Sequence, residues 1–161
     1  VRPILESAQW SKGNNEIPLV LLLPAFARER LYRYRHADDP EVVNCHYSAL
    51  NFFNETPDPS YVDLATCARD IDQNYLAVTN EYRLGDVVML MRSENEVVHT
   101  CNFITKDFVF TKNGNSVGQP WLIVPISKVL NLYSSEEPMK LRVMRRRDLE
   151  AAAGHPPDYG D

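Results

Sequence analysis

Cys45 is the residue of this sequence best suited to act as a nucleophile. It follows Asn44, a residue type that commonly caps helix N-termini, and apolar residues recur at mixed helical spacing up to residue 53. In the first turn of a helix, unpaired N–H groups and the helix dipole favour a thiolate. The alternative for an isolated cysteine is a small apolar residue buried beneath a helix end.

His99 is the candidate base for this nucleophile. It lies in a predicted strand over 97–104, and strand alternation puts it on one face with Val97 and Cys101. If the predicted nucleophile helix covers this face, the imidazole lies within hydrogen-bond reach of Cys45 and the pair forms a thiolate–imidazolium. Taken alone, His99 is more typical of a sheet histidine whose ring is satisfied in the core.

The next predicted strand, over 108–112, can supply a third polar group to orient the imidazole. Thr111 and Asn113 have the parity of the face that carries His99, whereas Lys112 points to the opposite face. Asn113 has the better side chain for holding a ring N–H, and Thr111 is the alternative. The predicted catalytic residues are therefore Cys45, His99 and Asn113.

The order of these features resembles the NlpC/P60 branch of the papain-like cysteine peptidases. In that family a cysteine at a helix start precedes a strand led by Gly-Asp, here 85–90, and then a strand led by histidine with a hairpin partner. The resemblance covers about 30–125 and implies an α+β fold, with N-terminal helices packed on one face of an antiparallel meander sheet. It also implies a cysteine hydrolase of amide bonds that acts on a cell-wall (peptidoglycan) peptide.

The same resemblance implies residues on the substrate side of the site. The family has a tyrosine upstream of the cysteine, and Tyr34 is preferred over Tyr32 for that role, where it would assist the Cys45 N–H in stabilising an oxyanion. His46 follows Cys45 and points to a different side of the helix, which makes it a rim or substrate-side residue, so the predicted substrate-binding residues are Tyr34, His46 and Thr111. The family has Asp-Cys-Ser-Gly at the nucleophile, and the bulky His46 and Tyr47 of this chain depart from it. This departure favours the alternative, a catalytically inactive papain-like domain that binds a peptide or protein partner.

The composition limits the possible partners and cofactors. The 161-residue chain carries a formal net charge of −5, which argues against a nucleic-acid surface, and a basic cluster over 142–147 is more typical of a solvated strand end. Its three cysteines make an odd count, and no CxxC or HxxxH spacing occurs, so we expect neither a disulfide framework nor a metal nor another cofactor. The longest apolar run, 19–23, is too short to span a bilayer.

The chain organisation predicts one main domain. We expect an arm and lead-in helix over 1–30, the NlpC/P60-like domain over 31–148 and a disordered tail over 149–161. Because the sequence begins with Val1 and not with Met, we expect a trimmed or processed chain that an export signal could have preceded. The compartment and the oligomeric state stay open. Helices are predicted over 24–31, 44–53, 61–75 and 127–133, and strands over 87–91, 97–104, 108–112, 121–125 and 141–144.

Overall fold

A six-stranded antiparallel sheet forms the centre of the computed structural model, which describes residues 18–35, 37–134 and 139–149. The α+β class predicted from the sequence is confirmed. The first seventeen residues of the expected arm and nearly all of the expected tail lie outside the described residues. The strands are β1 (Tyr75–Val78), β2 (Val87–Ser93), β3 (Glu96–Thr105), β4 (Phe108–Lys112), β5 (Trp121–Pro125) and β6 (Lys140–Arg146).

Four α-helices with described bounds accompany the sheet, and residues 147–149 are helical as well. Asn44 caps the second of them by accepting a 2.9 Å hydrogen bond from the Tyr47 N–H, and Asp63 caps the third through the Thr66 N–H at 2.8 Å. The helices are α1 (Ala25–Arg30), α2 (Cys45–Leu50), α3 (Leu64–Asn74) and α4 (Ile126–Tyr133), with 3₁₀ turns at Leu19–Leu22 and Pro59–Val62.

The strand order differs in one respect from the expected meander. The sheet order is β1-β6-β2-β3-β4-β5, so β2 to β5 form a meander and β6 is inserted between β1 and β2. The first strand was missed because Tyr75 was assigned to the end of a predicted helix over 61–75. In the structure Asp63 starts α3, and Tyr75 begins a strand that pairs with Arg146.

Helices cover both faces of the sheet. The face that carries Met89, Thr100 and Asn102 packs against α2 and α3, whereas α4 packs through Val129 against the face that carries Leu90. The prediction of helices on a single face is therefore wrong. The reason is that α4 follows β5 directly and folds back over the opposite side, which would otherwise expose an apolar surface.

The Gly85-Asp86 pair starts β2 in a way that the sequence pattern alone does not explain. Gly85 has φ +87°, and a Cβ at this position would lie 2.1 Å from the ring of Phe53. Asp86 accepts a hydrogen bond from the Arg83 N–H at 2.8 Å and forms a bidentate ion pair with Arg145 of β6 at 2.9 and 2.8 Å. Gly85 and Asp86 therefore connect a tight turn with strand β6, through Arg145, and with Phe53, which follows α2.

Two side-chain hydrogen bonds fix α2 on the sheet. Asn102 of β3 donates its amide N–H groups to the carbonyl oxygens of Ala49, at 3.0 Å, and Gly85, at 3.2 Å. Trp121 of β5 donates its indole N–H to the Ser48 hydroxyl at 2.8 Å. Because all of these groups are buried, they hold the six-residue helix in one position, and its first residue is Cys45.

Candidate active site

Cys45 lies at the N-terminal end of α2, as predicted. Its side chain is nearly buried, at 8% relative exposure, and the backbone N–H of Thr100 faces its sulfur together with those of His46 and Cys45 itself. These N–H groups favour a thiolate, but the loss of solvent outweighs them and raises the pKa of the thiol above its ordinary value. The resting form of Cys45 is therefore the neutral thiol.

The sulfur of Cys45 lies where β3 and β4 separate. The two strands pair between Asn102 and Phe110 and onward toward the hairpin, but pairing stops before Thr100. The Phe103 N–H donates to the backbone carbonyl oxygen of Asp86 on the β2 side. Because successive N–H groups of a strand alternate in direction, the N–H of Thr100, three residues earlier, points toward β4. In the absence of a strand partner there, this N–H faces the Cys45 thiol. The charge of Cys45 contributes to raising the pKa values of Cys101 and Tyr133 on the α4 side, so the sulfur lies within electrostatic range of that face of the sheet.

His99 borders the opening between β3 and β4 from the opposite face of the sheet. It pairs with Leu90, whose side chain packs in the cluster beneath α4, and its ring stacks on Tyr133 of that helix with centroids 4.2 Å apart. A bulge between Leu90 and Met91 moves Val97 to the α3 side, so the prediction that Val97 and His99 share a face is wrong. In the described part of the chain, no hydrogen bond joins the His99 ring to Cys45.

A chain of hydrogen bonds fixes the His99 ring from one side only. The ring Nε2 lies 2.7 Å from the Thr111 hydroxyl oxygen, and that hydroxyl donates in turn to the Asn113 amide oxygen at 3.3 Å. When Thr111 gives its proton to Asn113 it acts as an acceptor toward Nε2, so this arrangement favours the tautomer in which Nδ1 carries an unshared electron pair. Nδ1 is buried and has no hydrogen-bond partner in the described structure. Of the two residues predicted to orient the imidazole, Thr111 is hydrogen-bonded to the ring directly, and Asn113 is hydrogen-bonded to Thr111.

The pKa shifts of the two groups do not favour the expected thiolate–imidazolium pair at rest. Burial lowers the pKa of His99 to about 3, with a smaller contribution from the charge of His46, so the imidazole is neutral at neutral pH. Cys45 is neutral as well, because its pKa is raised. A nucleophile and a base that are both uncharged at rest can still exchange a proton during a reaction, when a substrate is attacked.

Lys112 is a residue of the site that sequence reasoning set aside. It does point to the face opposite Thr111, but this is the α2 face, and there its side chain is fully buried. Its ammonium donates to the carbonyl oxygens of Gly114, at 3.2 Å, and Ser116, at 3.0 Å, and its positive charge acts to lower the Cys45 pKa. The sequence signal that could have identified Lys112 is its position inside a predicted strand, directly before the Asn113-Gly114 turn.

The remaining predicted site residues occupy three different settings. The His46 ring nitrogen Nδ1 lies 2.8 Å from the Thr100 hydroxyl, and burial lowers the pKa of the imidazole. Thr111 is buried and touches His99 rather than open space. Tyr34 is 59% exposed on the segment after α1, next to the 68% exposed Tyr32. The structure thus brings His46 and Thr111 to the site and leaves Tyr34 at the surface.

The described residues contain neither a metal-binding cluster nor a membrane-spanning helix. They contain no group of three His, Cys, Asp or Glu side chains arranged to hold a metal ion. No helix among them has the length and apolar character needed to cross a membrane. Comparison of the chain with family models, curated proteins and solved structures gave no match. The NlpC/P60 resemblance therefore stays a prediction.

Proposed function

We propose that the protein is a cysteine hydrolase of amide bonds, with Cys45 as the nucleophile and His99 as the general base. The observation that supports this most is the state of the His99 ring. Its Nε2 is hydrogen-bonded to Thr111, which bonds in turn to Asn113, while its Nδ1 is buried and has no hydrogen-bond partner in the described structure. Most buried polar atoms have a hydrogen-bond partner, and an unpaired ring nitrogen is available to accept a proton; Asn102 Oδ1 and Arg30 Nε are the other unpaired buried side-chain atoms of the described residues.

The proposed reaction follows from the two neutral groups. As the Cys45 sulfur attacks the amide carbonyl, Nδ1 of His99 takes the thiol proton, and a carbon–sulfur bond forms. The backbone N–H groups of Cys45 and Thr100 stabilise the oxyanion. His99 then returns the proton to the leaving amine as the carbon–nitrogen bond breaks. Water, activated by the same nitrogen, hydrolyses the thioester and restores the thiol.

The substrate class proposed with this chemistry comes from the NlpC/P60 resemblance. A cysteine at a helix start, a Gly85-Asp86 strand and a histidine on the next strand occur in the order that this family has. The antiparallel α+β sheet is compatible with a papain-like core. On this basis the scissile bond belongs to a peptide, such as a stem peptide of peptidoglycan.

Acylation of Cys45 is the direct test. Incubation with p-nitrophenyl acetate should add one acetyl group, which intact-mass analysis and peptide mapping should locate on Cys45 and which should turn over. Cys45→Ser should lose the adduct, and His99→Gln should slow both acylation and turnover by about 10²- to 10⁴-fold. The buried cysteines Cys67 and Cys101 serve as internal controls. Equal acylation of wild type and His99→Gln would contradict the assignment.

The second candidate function is a non-catalytic domain that binds a peptide or protein partner. The burial and raised pKa of Cys45 favour it, because they are also the properties of an inert core thiol. The two functions differ in the pH dependence of iodoacetamide labelling. An inert thiol should react only as the pH rises above 9. A base-assisted thiol should react faster than its His99→Gln counterpart at pH 7 to 8 and at the same rate at pH 10.

A further inference from the structure

A cavity of about 460 Å³ lies between α3 and the face of the sheet that α2 and α3 cover. This volume falls within the range of roughly 300–1,000 Å³ that small-molecule sites occupy. Most of its wall is aliphatic or thioether. The principal apolar lining residues are Leu64, Ile71, Met89, Met91, Val97 and Met144.

The chemistry of this wall favours a flexible aliphatic occupant. Three of the lining side chains are methionines, whose unbranched thioethers adapt to flexible chains. Among the described residues no Phe, Tyr or Trp ring lines the cavity, so these residues offer a planar ligand no stacking surface. Leu64 is 60% exposed at its edge, which leaves apolar surface available to a ligand.

The charges at the cavity argue against an acidic occupant. Arg142 is the one basic residue among the lining residues apart from His46. Its guanidinium is already paired with the Glu94 carboxylate at 3.2 Å, and Asp72 adds a further negative charge to the lining. A substrate carboxylate would therefore meet repulsion rather than a free cation.

His46 connects the cavity to the candidate active site. Its side chain lines the cavity, its Nδ1 bonds to the Thr100 hydroxyl, and its backbone N–H faces the Cys45 sulfur. Cys45 itself does not line the cavity, but its charge acts on the lining residue Cys67, so the end of the cavity at His46 is the end nearest the thiol. That end is where a carbonyl group would have to lie in order to be attacked.

We propose that this cavity binds an unbranched aliphatic chain on the acyl side of the scissile amide, so that the substrate is an N-acylated amino acid or peptide. The proposal rests on the amide hydrolase function for the identity of the reacting bond. The binding of the chain itself does not require the reaction. The occupant and the chemistry can therefore be tested separately.

The test measures binding to the Cys45→Ala protein, which cannot react. Isothermal titration calorimetry with N-hexanoyl, N-octanoyl and N-decanoyl glycinamide should show an affinity that rises about fourfold for each added methylene. Ala68 lines the cavity from the exposed side of α3, so Ala68→Trp should remove the dependence on chain length. Ala65 is exposed on the same helix outside the cavity lining, and Ala65→Trp should leave the dependence intact.

Three results would overturn the proposal. They are an affinity independent of chain length, a dependence that survives Ala68→Trp, and binding of N-acetyl-leucinamide as tight as that of the decanoyl compound. The last would assign the cavity to a peptide side chain. Ala68→Leu fills less space and should weaken binding of the decanoyl compound by an intermediate factor, which guards against a misfolded tryptophan variant. Chain-length dependence without acylation of Cys45 would uphold the cavity and reject the hydrolase function.

Discussion

The charge state of His99 follows from its surroundings on every side. Its ring has no solvent exposure, stacks on Tyr133 with an interplanar angle of 19° and is hydrogen-bonded through Nε2 to a neutral hydroxyl. Burial and the charge of His46 are the causes of its lowered pKa, and no carboxylate of the described residues is among them. The charged form of His46 would repel a protonated His99. A neutral imidazole is therefore part of the folded structure, and protonation must destabilise that structure.

The first prediction concerns the pH dependence of stability. The folded-state pKa of His99, about 3, lies below the ordinary value of 6.5, so its contribution is present above pH 6.5 and is lost as the pH falls. Between these values the free energy of unfolding should decrease by about 1.4 kcal/mol per pH unit. Urea unfolding from pH 7 to pH 4 should give this slope for wild type and a flatter one for His99→Gln. His46→Gln is the control for the second lowered histidine, and parallel curves for wild type and His99→Gln would contradict the prediction.

Residue types and their order could be inferred from the sequence, whereas charge states could not. Cys45 at a helix start, His99 on a strand and a polar residue on the next strand were all anticipated. The neutral resting pair was not, because desolvation depends on the complete packing around each group. The burial of Lys112 was missed for the same reason, since its parity shows which face it joins and not what covers that face.

At the scale of the element, α2 depends on its cap because it has only six residues. Short helices contribute little hydrogen bonding of their own, so their position comes from caps and tertiary contacts. Asn44 supplies the cap, and Asn102 and Trp121 supply contacts further along the helix. The cap is also the contact nearest to Cys45. A change there should alter both stability and the environment of the thiol.

The second prediction compares two helix caps. Asn44→Ala and Asp63→Ala should each reduce the free energy of unfolding by about 1 kcal/mol, equivalent to about 2–4 °C in Tm. Only Asn44→Ala should change the rate at which iodoacetamide labels Cys45, because Asp63 caps α3. Thermal unfolding and intact-mass kinetics measure the two effects. A labelling change in Asp63→Ala of the same size would show that general loosening, and not the cap, controls access to the thiol.

The elements themselves were largely predictable where their period was clear. The strands over 87–91, 97–104, 108–112 and 121–125 correspond to β2 to β5, and the helix over 127–133 to α4. The bulge at Leu90 was not predictable, because it depends on how two strands pair and leaves no periodic signal in either. That bulge decides which residues share a face with His99, so a small local irregularity changed the expected geometry of the site.

At the scale of the whole molecule, β6 closes the sheet from a distant part of the chain. It lies between β1 and β2, and the buried ion pair between Asp86 and Arg145 joins it to the start of β2. The same Arg145 donates to the Glu81 carbonyl oxygen at 2.8 Å, which fixes the loop before β2. Such long-range pairing could not be inferred from local patterns, which assigned this arginine to a solvated strand end.

The final prediction is that this ion pair is a coupled unit within the fold. Asp86→Asn and Arg145→Met should each reduce the free energy of unfolding by about 3–5 kcal/mol, because each removes one charge of a buried ion pair and leaves the other charge buried without that counter-charge. The double variant should lose less than the sum of the two, with a coupling of about 1–3 kcal/mol measured by urea unfolding. The half-exposed pair Arg92 and Glu96 is the matched control, and Arg92→Gln should cost less than about 1 kcal/mol. Additive losses at Asp86 and Arg145 would mean that the two residues stabilise the sheet independently of one another.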